Sequence, residues 1–176
     1  MIGSMTPTAL MGVQMTLSIV LSALVAIWYV SPALNRLPVH SALVPLFLVH
    51  ALRYLPSSAF APGQIGPTVP REAMDVIASG DLASAILALA AAVLLYYRVS
   101  GSIAAAWAVN IVTSLDWLYA GAVAASNRLA TYPMGGNWYI MNYYAPMIGV
   151  VHVMIFARLI RERRAPAGMP ISRTSP

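Results

Sequence analysis

Charged side chains are scarce in this sequence, and cysteine and lysine are absent. Only 9% of the 176 residues are charged, and all ten basic residues are therefore Arg. The lack of Cys excludes a disulfide scaffold, a thiol nucleophile and a C-x-x-C-H haem attachment. An average soluble domain is about 25% charged, and this chain is 60% hydrophobic. A soluble domain of this length is therefore excluded as well.

Several sequence motifs that carry chemistry are also missing. There is no P-loop, no G-x-G-x-x-G and no G-x-S-x-G, which argues against nucleotide-driven work and acyl transfer. Histidines and carboxylates never occur at H-x-x-x-H or E-x-x-H spacing, so no metal site is predicted. The net charge of +5 does not indicate nucleic-acid binding, because half of the arginines lie at or after Arg158.

Long uncharged stretches predict an all-α, polytopic transmembrane bundle of five helices. A spanning helix needs about 20 mostly apolar residues. We place the helices near Thr8–Val30, Val39–Leu55, Met74–Tyr97, Ser102–Ala125 and Trp138–Ile160. The second is short and carries Pro45, His50 and Arg53. If it is re-entrant, the number falls to four.

The arginines predict the orientation of this bundle. Seven of them fall on one side of the five-helix arrangement and three on or near the other. Because cytoplasmic segments are enriched in basic residues, we expect the N-terminus outside and the C-terminus in the cytoplasm. Residues 1–160 then form one helix-bundle domain, and residues 161–176 form a polar, Arg-rich cytoplasmic tail.

Polar side chains inside the predicted helices are the candidates for function. Ionisable groups at membrane depth cost about 2.5–3.5 kcal/mol on insertion scales, so they normally face the bundle interior and have a partner. We expect Arg53 to neutralise Asp81 or Asp116 in a pocket that opens outward. His50, Arg53 and Tyr54 share one helical face by their spacing. Asp81, Asp116 and His50 are the candidate catalytic groups, and the candidate ligand-binding residues are Arg53, Tyr54, Asn110, Trp117, Asn142 and His152.

Two functions are consistent with this set of residues. In the first, the protein holds a lipophilic or amphipathic small molecule, and binds, carries or isomerises it by carboxylate acid–base chemistry. In the second, it is a non-catalytic subunit or assembly factor of a homo-oligomer or larger membrane complex, docked through small-residue faces. Asp81, Ala85, Ala88 and Ala92 form such a face on the third helix.

No cofactor is required by either function. A haem held between His50 and His152 is the one cofactor that the sequence leaves open, although the two residues lie at different estimated depths. Membrane lipid is the expected surrounding, and nucleic acid is not an expected partner.

Short motifs along most of the chain resemble a family of small bacterial multi-helix membrane proteins of unknown function. They are WYVSPALNRLP, FLVHALRYL, the proline-glycine loop that follows, SGDLASA, and the Asn110 to Asp116 spacing. The likeness runs from about Trp28 to Leu159 and implies a protein of the bacterial inner membrane. It implies no activity. In size and helix count the chain is similar to five-helix translocator-type and sterol-isomerase-type proteins, which is an analogy of fold alone.

Overall fold

The computed structural model describes residues 4–164, and these residues form helices and loops without a strand. Five helices are long and apolar enough to cross a membrane. They are α1 (Pro7–Asn35), α2 (Val39–Phe60), α3 (Arg71–Tyr96), α4 (Ser102–Ser126) and α5 (Asn137–Arg164). The predicted all-α fold with five helices is therefore confirmed. The predicted tail from residue 165 onward lies outside the described residues, and α5 itself continues to Arg164, past the predicted end at Ile160.

Capping residues mark where helices begin and end, as the start of α1 and the end of α3 show. Thr6 caps α1 by accepting a hydrogen bond from the Ala9 amide at 3.2 Å, with Pro7 in the first turn. At the end of α3, Arg98 adopts a positive φ of 50°. The Val99 amide then bonds the Leu94 carbonyl at 3.0 Å, and this pairing closes the helix with a Schellman motif.

Prolines account for three irregular stretches within the helices. A proline lacks the amide hydrogen and its ring crowds the carbonyl four residues earlier, so the helix must widen or tighten nearby. Pro32 follows the π-helical turn Ala26–Val30, and Pro146 follows the π-helical turn Ile140–Tyr144. Pro56 lies within a 3₁₀ segment, Leu52–Phe60, that forms the last part of α2.

The second helix is long enough to cross the bundle because of that segment. Its α-helical part, Val39–Ala51, rises about 20 Å at 1.5 Å per residue. The nine residues of the 3₁₀ part add roughly 18 Å at 2.0 Å per residue. The total of about 38 Å supports five crossings rather than four.

Helix α3 lies at the centre of the packing. It contacts both α2 and α4, while α5 contacts α1, α2 and α4. The main core joins α2, α3 and α5 through residues that include Leu43, Phe47, Ala88, Leu95 and Ile155. Helix α1 is peripheral, because only Met11 and Ala26 on it are buried.

The connections divide between the two ends of the bundle. At one end, residues 61–70 contact residues 127–136, with the Gly66 amide bonded to the Pro133 carbonyl at 2.8 Å. At the other end, Arg158 donates to the Leu37 carbonyl and Arg161 to the Asn35 side chain, both at 2.6 Å. We call these the loop end and the arginine end.

Candidate functional site

The guanidinium of Arg53 joins three helices at one point. Its Nε donates to Asp81 Oδ1 on α3 at 2.7 Å, and its Nη2 donates to Asp116 Oδ2 on α4 at 2.6 Å. Its Nη1 donates to the backbone carbonyl of Thr113 at 2.8 Å. All three nitrogens are therefore bonded within the protein. We call Arg53, Asp81 and Asp116 the ion cluster, and the sequence expectation that Arg53 meets these carboxylates agrees with the geometry.

The ion cluster lies well inside the bundle. Asp81 is ten residues from the start of α3, and Asp116 is ten residues from the end of α4. At 1.5 Å per residue, both carboxylates are about 15 Å from the loop-end termini of their helices. The shared guanidinium of Arg53 accordingly joins two carboxylates at one level of the bundle.

The 3₁₀ geometry of Leu52–Phe60 in α2 decides which of its side chains face inward with Arg53. A 3₁₀ helix turns 120° per residue, so residues three apart eclipse one another. Arg53, Pro56 and Ala59 lie three residues apart in this segment and are all buried, and His50 is buried at the end of the α-helical part that precedes it. Tyr54 was expected to share a face with His50 and Arg53, but it is 47% exposed, because one further 120° step rotates it outward.

Small and hydroxyl side chains make room for Asp116. The Ser84 hydroxyl donates to its Oδ2 at 2.8 Å. Its Oδ1 lies against Gly80, where an added Cβ would overlap the oxygen. Gly80 and Ser84 flank Asp81 on α3, and neither was among the predicted site residues. Their mutual spacing was the available signal, since residues four apart share a helix face.

The ion cluster carries more negative than positive charge. One arginine faces two aspartates, so the formal charge of the ionised cluster is −1. Arg53 is 2% exposed, while the Asp81 side chain is 13% exposed. Both bonds from Arg53 to Asp81 end on Oδ1, and no hydrogen bond reaches Oδ2 from residues 4–164. Asp81 therefore keeps a free acceptor.

Two histidines form a separate polar group toward the arginine end. The rings of His50 and His152 pack with centroids 4.2 Å apart. Nδ1 of His152 lies 2.9 Å from both Asn110 Oδ1 and Ser114 Oγ. Because the Ser114 hydroxyl already donates to the Asn110 carbonyl at 2.6 Å, this nitrogen must carry the hydrogen. The lone pair of His152 is then on Nε2, which has no partner in the described chain.

A haem does not fit between these histidines as they stand. Metal–nitrogen bonds of about 2 Å on either side of an iron would hold the two ring centroids roughly 6 Å apart. The observed separation is 4.2 Å. Within residues 4–164 there is also no group of three or more His, Cys, Asp or Glu that could hold a metal ion. His50 and His152 therefore act as packing partners in this arrangement.

A cavity of about 630 Å³ lies beside the ion cluster on its loop-end side. All five helices contribute to its wall, which is mainly apolar, with residues such as Met11, Met74, Leu118, Gly121, Met141 and Ile148. Arg53 and Asp81 form its polar floor, and Trp117 and Tyr144 stand beside them. Pockets for small organic ligands commonly measure 300–1,000 Å³ and combine apolar walls with a few polar groups. We call this space the main cavity.

The two aromatic rings at the floor of the main cavity are held in place. The Trp117 indole donates to the Ala145 carbonyl at 2.9 Å, and the Tyr144 hydroxyl donates to the Val49 carbonyl at 2.9 Å. Gly149 lets the Trp117 ring approach α5, because an added Cβ would lie 2.9 Å from Cζ2. The ring faces are thus fixed before any ligand arrives.

Asn137 supplies a second polar group to the wall of the main cavity. The residue is 1% exposed, and neither atom of its amide has a partner within residues 4–164. A buried amide without a hydrogen bond costs about 1–3 kcal/mol. Its position in the wall therefore indicates a contact that this chain does not itself supply. Asn137 was not among the predicted site residues, because it lies at the start of a helix rather than within one.

Eight of the nine predicted site residues thus divide into three groups, and Tyr54 lies apart from them on the exposed face of α2. Arg53, Asp81 and Trp117 line the main cavity, with Asp116 behind them in the ion cluster. His50, His152 and Asn110 form the histidine group. Asn142 is buried with an unpartnered amide, and it contacts neither group through a hydrogen bond in the described chain.

Fold and site together define a class: a five-helix bundle with a buried arginine–aspartate cluster at the floor of an apolar cavity. The family model described as Domain of unknown function (DUF8737) matches residues 10–160, and the chain belongs to this family. This agrees with the sequence resemblance at the level of a family whose function is unknown. No curated protein and no solved structure shows significant similarity to the chain.

Proposed function

We propose that this protein is a multi-pass protein of the bacterial inner membrane that binds a lipophilic or amphipathic small molecule in the main cavity. The membrane location rests on the five apolar helices and on the large side chains that they present outward, such as Leu17, Ile86, Leu115 and Val153. Water-soluble monomers rarely expose apolar patches of this extent. Lipid chains around the bundle would cover these apolar side chains.

The observation that carries the binding function is the main cavity with its polar floor. An apolar molecule would fill the space between α1, α4 and α5, and a polar group on it would meet Asp81. The fixed rings of Trp117 and Tyr144 favour binding, because no side-chain freedom is lost there. Carriage across the membrane would require the same cavity to open at the arginine end.

Isomerisation has weaker support than binding. Acid–base chemistry needs one carboxyl that gives a proton and one that takes it. Here both carboxylates accept hydrogen bonds from the same guanidinium, so the contacts do not set one apart as the acid and the other as the base. His50 packs against His152 and is not part of the cavity wall. The geometry therefore supports Asp81 as a ligand-binding group more than as a catalytic one.

The alternative of a docking subunit draws on the small-residue face of α3. Ala85, Ala88 and Ala92 are buried within this chain, where Ala88 and Ala92 belong to the main core. Other residues of the same chain therefore already cover this face of α3.

Filling the cavity tests the binding function. Ala124 lies in the cavity wall, while Ala122 is exposed on the same helix and does not line it. The purified chain in non-ionic maltoside micelles is mixed with the isoprenoid alcohol farnesol and examined by native mass spectrometry. We expect a one-to-one adduct with the wild type and with Ala122→Trp, and its loss with Ala124→Trp. A wild type without an adduct, or an adduct that survives Ala124→Trp, overturns the proposal.

A further inference from the structure

We infer that the polar group of the bound molecule is cationic, so that the ligand is an amphipathic amine or quaternary ammonium compound. This inference rests on the proposed binding function and names the ligand class for the same cavity. Its basis is the arrangement of charge at the cavity floor, where the carboxylate and not the guanidinium remains available.

Arg53 offers few donors to an anionic ligand, because most of the five N–H groups of its guanidinium are used within the protein. Each of its three nitrogens already donates to Asp81, Asp116 or the Thr113 carbonyl. Its side chain is also 2% exposed, behind the more exposed Asp81. An anionic headgroup at the cavity floor would therefore meet Asp81 first and be repelled. A cation would meet the free Oδ2 of Asp81.

The formal charge of the ion cluster also favours a cation. The two carboxylates and one guanidinium leave a charge of −1 in a region of low dielectric, where an unbalanced charge is costly. Arg128, the other charged residue of the cavity wall, is exposed at the loop end and is screened there by solvent. A bound cation would bring the buried cluster to neutrality.

Aromatic and amide groups complete a site of this kind. Trp117 and Tyr144 present fixed rings beside Asp81, and aromatic faces attract ammonium groups. The unpartnered Asn137 amide can accept a hydrogen bond from a protonated amine or donate one to a hydroxyl elsewhere on the ligand. The apolar walls receive the hydrocarbon portion.

Three probes with the same twelve-carbon chain and different head charge test the inference. They are dodecyltrimethylammonium, dodecan-1-ol and dodecanoate, each titrated calorimetrically into the chain in non-ionic maltoside micelles. Because a quaternary ammonium is attracted both by the carboxylate and by aromatic faces, we expect the cation to bind about 10- to 100-fold more tightly than the alcohol. Dodecanoate should bind most weakly.

Variants then assign the preference to Asp81. Asp81→Asn should reduce the cation's advantage over the alcohol to less than about threefold, while leaving alcohol binding in place. Asp75→Asn is the matched control, because it removes an exposed carboxylate from the same helix and should leave the preference unchanged. Asp116 does not line the cavity, so Asp116→Asn should reduce the cation's advantage over the alcohol by an intermediate amount.

Each outcome decides the inference separately from the binding function. Equal affinity for all three probes, or tightest binding of dodecanoate, overturns the cationic ligand while the cavity remains a binding site. Binding of none of the three, together with no farnesol adduct, overturns both. If Asp81→Asn fails to fold, the order of the three probes on the wild type still decides.

Discussion

Arg53 is the residue that joins three helices within the site. It lies on α2 and contacts α3 and α4 through side chains 28 and 63 positions further along the chain. The planar guanidinium suits this role because it stays charged and presents donors in several directions at once. The position of Asp81 at the cavity floor therefore depends on Arg53.

Removal of the Arg53 charge tests how much the bundle depends on it. Arg53→Gln leaves two carboxylates buried without a cation, and breaking a buried pair costs about 3–5 kcal/mol. We expect the free energy of unfolding to fall by that amount. It is measured by SDS titration from mixed micelles with far-ultraviolet circular dichroism. Arg36→Gln, at an exposed arginine, should change it by less than about 0.5 kcal/mol.

A variant of the ion cluster without charges distinguishes two causes of lower stability. One is the loss of attraction between Arg53 and the carboxylates, and the other is the burial of carboxylates without a cation. The triple variant Arg53→Leu, Asp81→Asn, Asp116→Asn removes all three charges, and such replacements are often near neutral in stability. We expect it to recover most of the loss seen with Arg53→Gln. If Arg53→Gln alone stays within about 1 kcal/mol of the wild type, the cluster is not a structural centre.

Gly80 offers a second test at the scale of one residue. An Ala at this position would push its Cβ into Asp116 Oδ1, and the carboxylate cannot withdraw without losing Arg53 or Ser84. We expect Gly80→Ala to lower the free energy of unfolding by about 1–3 kcal/mol, as overpacking does. Gly12→Ala is the control, because nothing lies within 4 Å of its added Cβ. Equal stability of the two variants would contradict this packing.

The ion cluster was largely predictable from the sequence, and the reasons are physical. Arg53, Asp81 and Asp116 are charges in apolar stretches, where an unpaired charge is too costly to be left in lipid. The free oxygen of Asp81 was not predictable, because it depends on which carboxylate oxygen the guanidinium contacts. Asn137 was missed since its burial comes from loop packing and not from its place in a helical stretch.

At the scale of whole helices, irregular turns near prolines position the polar groups. The 3₁₀ part of α2 turns Arg53 inward and Tyr54 outward, and the π-helical turn of α5 holds Asn142 and Tyr144. Sequence periodicity assumes 3.6 residues per turn, so it assigned Tyr54 to the wrong face. The helix ends were predicted to within five residues, and the two largest differences arise where α1 and α2 continue past Pro32 and Pro56.

The aromatic part of the cavity wall depends on the contact between α4 and α5. Gly149→Ala would place a Cβ 2.9 Å from Trp117 Cζ2, and the indole is held by the Ala145 carbonyl. Either the ring or α5 must move, so we expect binding of farnesol or dodecyltrimethylammonium to weaken by about 10-fold, equivalent to 1.4 kcal/mol. Titration calorimetry measures this change.

The control for that substitution is Gly121→Ala in the same cavity wall. Nothing lies within 4 Å of its added Cβ, so the affinity should stay within about twofold of the wild type. A Gly149→Ala variant with unchanged affinity would show that Trp117 does not shape the ligand site.

At the scale of the whole molecule, the structure sharpens the charge asymmetry between the two ends. Arg53 is neutralised inside the bundle, so it no longer counts as a basic residue of the loop end, where Arg71 and Arg128 remain. Within residues 4–164, the arginine end holds Arg36, Arg98, Arg158, Arg161, Arg163 and Arg164. Basic residues are retained on the cytoplasmic side of membrane proteins. The asymmetry therefore favours a cytoplasmic arginine end and a main cavity that faces outward.

The absence of cysteine from the chain makes this orientation directly measurable. Thr68→Cys introduces a thiol at the loop end, and Ser100→Cys introduces one at the arginine end, both at exposed positions. In intact cells we expect a membrane-impermeant maleimide to label Thr68→Cys at once and Ser100→Cys only after permeabilisation. The cysteine-free wild type provides the background, and a permeant maleimide confirms that both thiols react. The reverse pattern, or equal labelling of both in intact cells, would contradict the orientation, because the loop end could then not be the outer face from which a ligand enters.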